Sequence, residues 1–385
     1  MTGTSRLPTE GPAMPRTFLD AFINSNGALS ILVVLLGFAC GTLIIMAVGR
    51  NPAGLYLALL QTLTGFNATT GVWNARYVGE WLTAAMPLIL CGMSMGFAAR
   101  TGLFNIGAEG QYIVGLTAAQ FVALYAPPFF GAEWVVCLLA AAAAGAFWGG
   151  LVGWLRARFS VSEVVATIML NYIAFFLSRY LTRLIPDANT YRTPNFPGAA
   201  IIPRWFIDDL TNHSRLSAGI FVVLACVILY WLVLERTKLG FELRATGLNR
   251  TAAGYAGIGV NRCFTTSMGI AGAFAGLAGA IVALGSFSYG RVIGGYDNYG
   301  FNGIAVALVG NSTAGGTLLS GLLFGMLSSA QPLMQSRQIP KEIAWIISGL
   351  VVVLVSLRAG IRLVIAWRAK VAAARSLAER EAAGA

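Results

Sequence analysis

Apolar runs about the length of a membrane-crossing helix recur along this chain of 385 residues. A helix that crosses the hydrocarbon core of a bilayer needs roughly 20 consecutive apolar residues. The composition supplies them, with 57% hydrophobic against 11% charged residues. Strands of a membrane barrel would instead alternate polar and apolar side chains. We therefore predict an all-α polytopic membrane protein, in preference to a soluble core or a membrane barrel.

The runs predict about ten transmembrane helices. We place them near residues 29–48, 81–99, 105–125, 134–155, 162–182, 216–234, 264–285, 301–311, 316–334 and 343–366. The two glycine-rich pieces between Phe301 and Met334 form either one long span or a broken pair. In the span 264–285, Gly272, Gly276 and Gly279 contain a small-x-x-x-small spacing that predicts close packing between helices. We expect residues 1–28 to be a disordered cytoplasmic leader, residues 29–366 to form the transmembrane domain, and residues 367–385 to be a cytoplasmic tail.

The basic residues predict the orientation, because Lys and Arg are enriched in cytoplasmic loops. With both termini in the cytoplasm, 16 of the 26 basic residues fall inside and ten outside. The compact clusters at 156–158, 236–262 and 358–370 are then all cytoplasmic. This topology explains the net charge of +11, so we expect the lipid bilayer, and no nucleic acid, as a partner.

Cysteine and histidine are placed in a way that argues against catalysis and metal binding. The five cysteines lie singly in or beside apolar runs, and the one histidine, His213, lies in a polar loop. No stretch matches the phosphate-binding motif G-x-x-x-x-G-K-[ST]. We predict a transport subunit that is not an enzyme, with no metal, no cofactor and no ATPase site of its own.

The stretch FAARTGLFNIGAEGQYIVG at 97–115 places Asn105, Glu109 and Gln111 in apolar surroundings. A carboxylate at mid-bilayer costs roughly 2.5–3.5 kcal/mol unless it finds a partner or water. One interpretation is that these residues line a translocation path. The other is that the asparagine caps a helix and the glutamate stabilises its dipole near the cytoplasmic face. Further candidates for the path are Asn171, Phe301 and Asn302, although a packing role is the commoner one for an aromatic such as Phe301.

Three segments outside the spans have a distinct character. Residues 54–66 form a short amphipathic piece that predicts an interfacial or re-entrant helix on the outer side. Residues 183–215 form the longest outer loop, and loops of that length often carry function. The inner loop 235–262 predicts a short helix from Asn249, as its N-cap, to Ala256, with small alanines on one face. An ordinary basic loop is the alternative for this last segment.

Four stretches resemble one family of transport proteins: NIGAEGQ at 105–111, LRATGLNRTAAGYAGIGV at 243–260, GIAGAFAGLAGAI at 269–281 and YGFNGIAVALVG at 299–310. They are similar to the sugar and nucleoside branch of bacterial ABC importer permeases, whose superfamily includes ribose and branched-chain amino acid permeases. The resemblance covers roughly residues 29–366. It implies the ABC importer permease fold with a weak inverted repeat, in the bacterial inner membrane.

The resemblance also implies partners and a solute. The partners are a cytoplasmic ABC ATPase subunit, a second homologous permease, expected as a heterodimer, and a periplasmic or lipid-anchored solute-binding protein. The solute is a nucleoside or a related sugar-containing molecule, and a simple sugar is an alternative. The inner loop becomes the segment that couples to the ATPase, through residues matching the family pattern R-A-x-G-x-N-x-x-A-A-x-x-x-G: Arg244, Gly247, Asn249, Ala252, Ala253 and Gly257.

Two other functional classes are weighed against an ABC permease. An ion-coupled secondary carrier usually needs pairs of embedded ionisable groups, and the embedded carboxylates predicted here are only Glu109 and Glu163. A membrane-embedded enzyme needs a clustered catalytic set, which the sequence does not suggest. Transport driven by a separate ATPase is the preferred interpretation.

Overall fold

The computed structural model describes residues 26–127 and 130–357. In these ranges the chain is mostly helical, which confirms the all-α prediction. The helices before residue 184 are α1 Asn26–Ala47, α2 Ala53–Thr64, α3 Arg76–Arg100, α4 Ala108–Tyr125, α5 Glu133–Phe159 and α6 Glu163–Arg183. Those that follow are α7 Trp205–Leu210, α8 Gly219–Arg236, α9 Lys238–Leu248, α10 Arg250–Tyr255, α11 Val260–Ser286, α12 Tyr299–Val309, α13 Ala314–Ser336 and α14 Glu342–Ser356.

The described residues also contain four short strands. They are β1 Phe66–Asn67, β2 Val72–Trp73, β3 Arg192–Asn195 and β4 Tyr289–Arg291. Strands β1 and β2 form a hairpin, whereas β3 pairs antiparallel with β4. The second pairing attaches the predicted outer loop 183–215 to the segment between α11 and α12.

Six of the described helices, α3, α5, α6, α8, α11 and α13, are long and apolar enough to cross a membrane. Helices also occupy the other four predicted positions. Of these, one begins later in the sequence than predicted, and another is too short to cross a membrane. Helix α4 begins at Ala108 rather than 105, and α12 has only 11 residues. Residues 310–313 separate α12 from α13, so the broken-pair alternative is correct.

The predicted terminal segments lie mostly outside the described residues. Of the leader 1–28, only residues 26–28 are described, and α1 has already begun there. The tail 367–385 lies outside, as does the end of the predicted span 343–366, whose described part is α14.

Helices α1–α6 form one set and helices α8–α14 form a second set. Corresponding long helices of the two sets run in opposite directions. Helices α3 and α11 are antiparallel, because Phe97 contacts Phe274 and Thr101 contacts Ser267. Two further contacts between the sets are also antiparallel and correspond to each other. Helix α5 packs on α11 in this way, and α13 packs on α3. This arrangement is the inverted repeat that the resemblance implied.

Glycines bring α5 and α11 into backbone contact. A Cβ atom added at Gly272 would lie 2.1 Å from the carbonyl oxygen of Gly145, and one at Gly276 would lie 2.3 Å from that of Ala141. A Cβ atom at Gly279 would meet the carbonyl oxygen of Tyr112 on α4 at 2.2 Å. Small residues at this spacing allow helices to approach closely in membranes. The predicted packing role of these α11 glycines is confirmed.

Ion pairs fasten the two ends of the helix bundle, which we call the β3 end and the α9 end after the elements found there. At the β3 end, Arg215 binds Glu80 of α3 at 2.6 Å. At the α9 end, Glu235 of α8 binds both Arg100 of α3, at 2.7 Å, and Arg244 of α9. Helix α3 is therefore tied at both ends to the chain around α8.

Candidate functional site

The N-termini of α4 and α12 meet inside the bundle. A Cβ atom at Gly300 would lie 2.2 Å from the backbone nitrogen of Glu109. From this point α4 runs towards the β3 end, where Gln120 lies beside Gly290. Helix α12 runs the other way, and the turn after it reaches Tyr230 of α8 near the α9 end. Because each begins inside the bundle rather than at one of its ends, we call α4 and α12 half-helices. We call the point where their N-termini meet the junction.

The junction lies near the middle of the bundle. Helix α3 has 25 residues, which at a rise of about 1.5 Å per residue span about 37 Å. Gly303 of α12 packs against Cys91 of α3. Along the axis of α3, Cys91 is about 22 Å from Arg76 at one end and about 14 Å from Arg100 at the other. The unpaired N–H groups that begin both half-helices are therefore at mid-depth.

Glu109 satisfies the start of α12. Its carboxylate is fully buried and accepts hydrogen bonds from the backbone N–H of Asn298 at 2.9 Å and of Gly300 at 2.6 Å. A negative group is stabilised at a helix N-terminus by the N–H donors and by the helix dipole. Glu109 does lie in the first turn of its own helix, but it serves the opposite half-helix, and it does so at mid-depth. The predicted first-turn position is therefore confirmed, whereas the hydrogen-bond donors of the carboxylate belong to the start of α12.

Asn105 and Gln111 form a closed network below the start of α4. The Asn105 side chain donates to Ser94 at 3.0 Å and to Gln111 at 2.9 Å, and it accepts from the backbone of Gly107 at 3.1 Å. All the side chains in this network are fully buried. The residue at the N-cap position of α4 is Gly107, so the prediction that Asn105 caps the helix is wrong. The network instead fixes the turn that precedes α4.

Asn171 of α6 holds the same turn from outside. Its amide oxygen accepts from the backbone N–H of Gly110 at 2.9 Å, and its amide nitrogen donates to the carbonyl of Ile106 at 3.1 Å. The side chain is buried. Asn171 thus ties α6 to the junction, alongside Glu109 and the Asn105 network.

Phe301 and Asn302, the remaining predicted path residues, lie apart from this buried group. They occupy the first turn of α12, where Asn302 is exposed and Phe301 half-buried. The Phe301 ring lies 5.8 Å from the ring of Tyr296, which in turn lies 6.2 Å from that of Tyr172 on α6. The six predicted path residues therefore divide into four that are buried and two that reach the surface of the chain.

The predicted coupling residues mostly shape the α9–α10 segment itself. Asn249 caps α10 by accepting from the backbone N–H of Ala252 at 3.0 Å, as predicted. Gly247 leaves no room for a side chain, because a Cβ atom would lie 2.3 Å from the carbonyl oxygen of Arg100. Gly257 has φ +81°, a conformation that favours glycine. Ala253 is buried, whereas Ala252 is exposed. Helix α9 itself was not predicted.

Residues 77–356 match the family model described as branched-chain amino acid transport system, permease component. The chain belongs to this permease family. The permease is 39% identical over 344 residues to the guanosine ABC transporter permease protein NupP of Bacillus subtilis, covering 88% of this chain and 96% of NupP. It is 32% identical over 335 residues to the nucleoside ABC transporter permease protein NupB of Lactococcus lactis, covering 85% and 90%.

A third relative has a different solute in its name. The glucose ABC transporter permease protein TsgB13 of Haloferax volcanii is 33% identical over 307 residues, covering 77% of the permease and 78% of TsgB13. The two bacteria named above each contain a second similar protein, guanosine permease protein NupQ at 30% identity and nucleoside permease protein NupC at 28%. No solved structure matches the permease significantly.

The permease has a charged cavity that the sequence did not predict. It measures about 430 Å³ and lies between α3, α13 and the segment from Ser286 to Tyr299. Two ion pairs line it, Glu80 with Arg215 and Asp297 with Arg291. Tyr112 of α4 donates to Asp297 at 2.7 Å. The expectation that only Glu109 and Glu163 are embedded carboxylates is therefore incomplete.

Each ion pair joins residues that are distant in sequence or lie in loops, which is why no motif indicated the cavity. The closest signal was the position of Asp297, two residues before the YGFNG stretch. At the β3 end, the side-chain hydrogen bond to Glu80 raises the pKa of Arg215 above its ordinary value. The cavity wall is thus held by paired charges rather than by free ones.

The permease also exposes large apolar side chains on the α9–α10 segment. Leu248 is 89% exposed and Tyr255 is 91% exposed, and Phe241, seven residues before Leu248 on the same face of α9, is also exposed. They project from a segment rich in basic residues. Sequence reasoning singled out the small residues of this segment and missed these three. Exposed apolar side chains that cluster on one surface are typical of protein interaction sites.

Proposed function

We propose that this permease forms the membrane path of an ATP-driven, binding-protein-dependent importer of nucleosides or related sugar-containing solutes. The observation that carries the proposal is the junction at Glu109, where two oppositely directed half-helices meet at mid-depth. Transporter folds built from inverted repeats use such discontinuous helices at their solute sites. The proposal for the solute is supported by the similarity to NupP and NupB over most of each chain.

The α9–α10 segment is the docking site for a separate cytoplasmic ATPase subunit. Leu248 and Tyr255 supply the exposed contact surface. The α9 end then faces the cytoplasm, in agreement with the distribution of Lys and Arg, and both termini lie inside. The permease itself contributes no ATPase site and no cofactor.

The contacts of this segment suggest how its movement reaches the path. Gly247 packs directly on the carbonyl of Arg100 at the end of α3, and Arg244 shares Glu235 with Arg100. Helix α3 in turn carries α12 through the contact between Gly303 and Cys91. A rigid displacement of α9 is therefore passed to α3 and then to the junction. Shifts of packed helices of this kind are a common mode of switching.

The remaining partners are a second, homologous permease in a heterodimer and a solute-binding protein at the β3 end. Support for two different permeases comes from the two similar proteins found in each of Bacillus subtilis and Lactococcus lactis. The four buried path residues hold the junction in shape, whereas Phe301 and Asn302 face the path.

Reconstitution tests the proposed function. The ATPase, second permease and binding protein are sought among the genes that neighbour that of the permease, and the complex of the four proteins is purified and placed in vesicles. We expect ATP-dependent uptake of radiolabelled guanosine that unlabelled nucleosides compete away. A simple sugar is the second candidate solute, favoured by the similarity to TsgB13. Uptake of radiolabelled glucose but not of radiolabelled guanosine would replace the first solute with the second.

A further inference from the structure

The segment between β4 and α12 exposes unpaired backbone between the β3 end and the junction. Gly294 and Gly295 are exposed, and a Cβ atom at either would meet no other atom within 4 Å. Among the described residues, their backbone N–H groups have no hydrogen-bond partner. Three residues after Gly295, the backbone N–H of Asn298 donates to Glu109 at the junction, so the segment runs from the β3 end to the junction.

Hydrocarbon cannot be what covers this surface. Irregular backbone within a membrane is found only where protein buries it or where water reaches it, because each unsatisfied polar group in lipid costs several kcal/mol. The exposed amide side chains of Asn298 and Asn302 lie on the same surface and carry the same cost. The face therefore belongs to a wet cavity or to a protein contact.

The chemistry of the face distinguishes between these two. Tyr172, Tyr296 and Phe301 form a chain of three aromatic rings along it, and Tyr172 is 53% exposed. The Tyr296 hydroxyl has no hydrogen-bond partner among the described residues. Asp297 points away and pairs with Arg291 in the charged cavity. What remains is a neutral surface of aromatic rings and exposed asparagine amides, with the Tyr296 hydroxyl buried beneath it.

We propose that this aromatic face, made of Tyr172, Tyr296, Asn298, Phe301 and Asn302, lines the solute path and receives the heterocyclic base of the solute. The proposal rests on the proposed function and assigns the site of solute contact. Aromatic rings stack on any base without regard to its charge, and asparagine both donates and accepts hydrogen bonds, as base edges and sugar hydroxyls require. Uncharged, exposed rings suit a passing solute, which must leave again.

Cysteine labelling tests whether the face is wet. In the reconstituted complex, with the five native cysteines of the permease replaced, we expect Asn302→Cys to react with a membrane-impermeant, charged methanethiosulfonate reagent. The matched control is Ile228→Cys, at an exposed position in the middle of α8 on an apolar surface, which should stay unlabelled. An unreactive Asn302→Cys would mean a dry contact with lipid or protein and would overturn the proposal. This readout does not depend on which solute is carried.

Guanosine then tests the base contact. We expect guanosine to slow the labelling of Asn302→Cys. Phe301→Leu removes the ring, and we expect it to lower guanosine uptake at subsaturating solute by about tenfold, the order expected for one lost stacking partner. Phe301→Tyr, which keeps a ring, should lose less uptake than Phe301→Leu. Tyr180→Ala is the control, since Tyr180 is an exposed aromatic on the same helix as Tyr172.

The outcomes separate this proposal from the proposed function. If wild-type complex does not take up guanosine at all, the proposed function fails. If wild-type complex takes up guanosine but the solute leaves labelling unchanged, or Phe301→Leu transports as well as Phe301→Tyr, the base contact is wrong while the proposed function stands.

Discussion

Glu109 carries out at residue scale what the junction needs. Two backbone N–H groups from a helix 190 residues away end on its two carboxylate oxygens. Both oxygens are acceptors, so the carboxylate accepts from both N–H groups at once. A glutamine in the same place would present one acceptor and one N–H donor, and that donor would face another donor.

We predict that Glu109→Gln destabilises the permease by about 1–3 kcal/mol, the cost of one buried donor left unsatisfied, and lowers uptake. Co-purification with the partner subunits should persist. The melting temperature in detergent and the uptake rate measure the two effects. Glu342→Gln is the control, because Glu342 is exposed in the first turn of α14. A Glu109→Gln protein with the stability and uptake of the wild type would remove the carboxylate from its role.

The residues that sequence reasoning located correctly are those whose roles are local. Asn249 caps the helix that directly follows it, and its bond to Ala252 spans three residues. Glu109 was singled out because a carboxylate in an apolar stretch must be compensated, but its partners could not be predicted. They lie on another half-helix, and only the packing of the two repeats brings the two stretches together.

At the scale of elements, the lengths of the apolar runs did not show that α4 and α12 begin inside the bundle. Helices α4 and α12 were predicted as spans at 105–125 and 301–311, and their apolar content justified this. Where they begin relative to α3 decides their depth, and that follows from contacts such as Gly303 on Cys91. The glycine spacing on α11, in contrast, correctly predicted a close helix contact, because the spacing itself defines the face that packs.

A pair of glycines on α11 tests that contact. We predict that Gly276→Ala lowers stability by about 1–3 kcal/mol, as overpacking does, since its Cβ atom would lie 2.3 Å from a backbone oxygen of α5. Gly269→Ala on the same helix meets its nearest atom at 3.6 Å and should leave stability unchanged or raise it by about 0.4–1 kcal/mol. Equal melting temperatures for the two variants would contradict the close contact.

The α9–α10 segment offers a second matched pair. Gly247→Ala would place a Cβ atom 2.3 Å from the carbonyl of Arg100, whereas Gly254→Ala meets nothing within 4 Å. We predict that Gly247→Ala lowers uptake severalfold while the protein still inserts and folds, because the added side chain disrupts the direct contact of the segment with the end of α3. Gly254→Ala should transport normally. ATP hydrolysis measured in the same vesicles should become less dependent on solute in Gly247→Ala alone.

At the scale of the whole molecule, the inverted repeat gives each end of the bundle a comparable element. Helix α2, with the hairpin that follows it, holds the position in the first set that α9 holds in the second. Its Gly54 packs on Ile339 at the β3 end, just as Gly247 packs on Arg100 at the α9 end. The predicted outer interfacial helix and the predicted coupling segment are thus counterparts, which sequence reasoning treated as unrelated.

The central claim is that a path without its own motor is moved from the α9 end. The most direct test is uptake in vesicles that contain the full complex, with ATP supplied on the side of the α9–α10 segment, compared between wild type and Tyr255→Asp. Tyr255 is 91% exposed, so the change does not disturb the fold. We predict ATP-dependent guanosine uptake by the wild type, and loss of both uptake and ATPase binding in Tyr255→Asp. Uptake driven by an ion gradient without ATP, and unaffected by Tyr255→Asp, would contradict the claim.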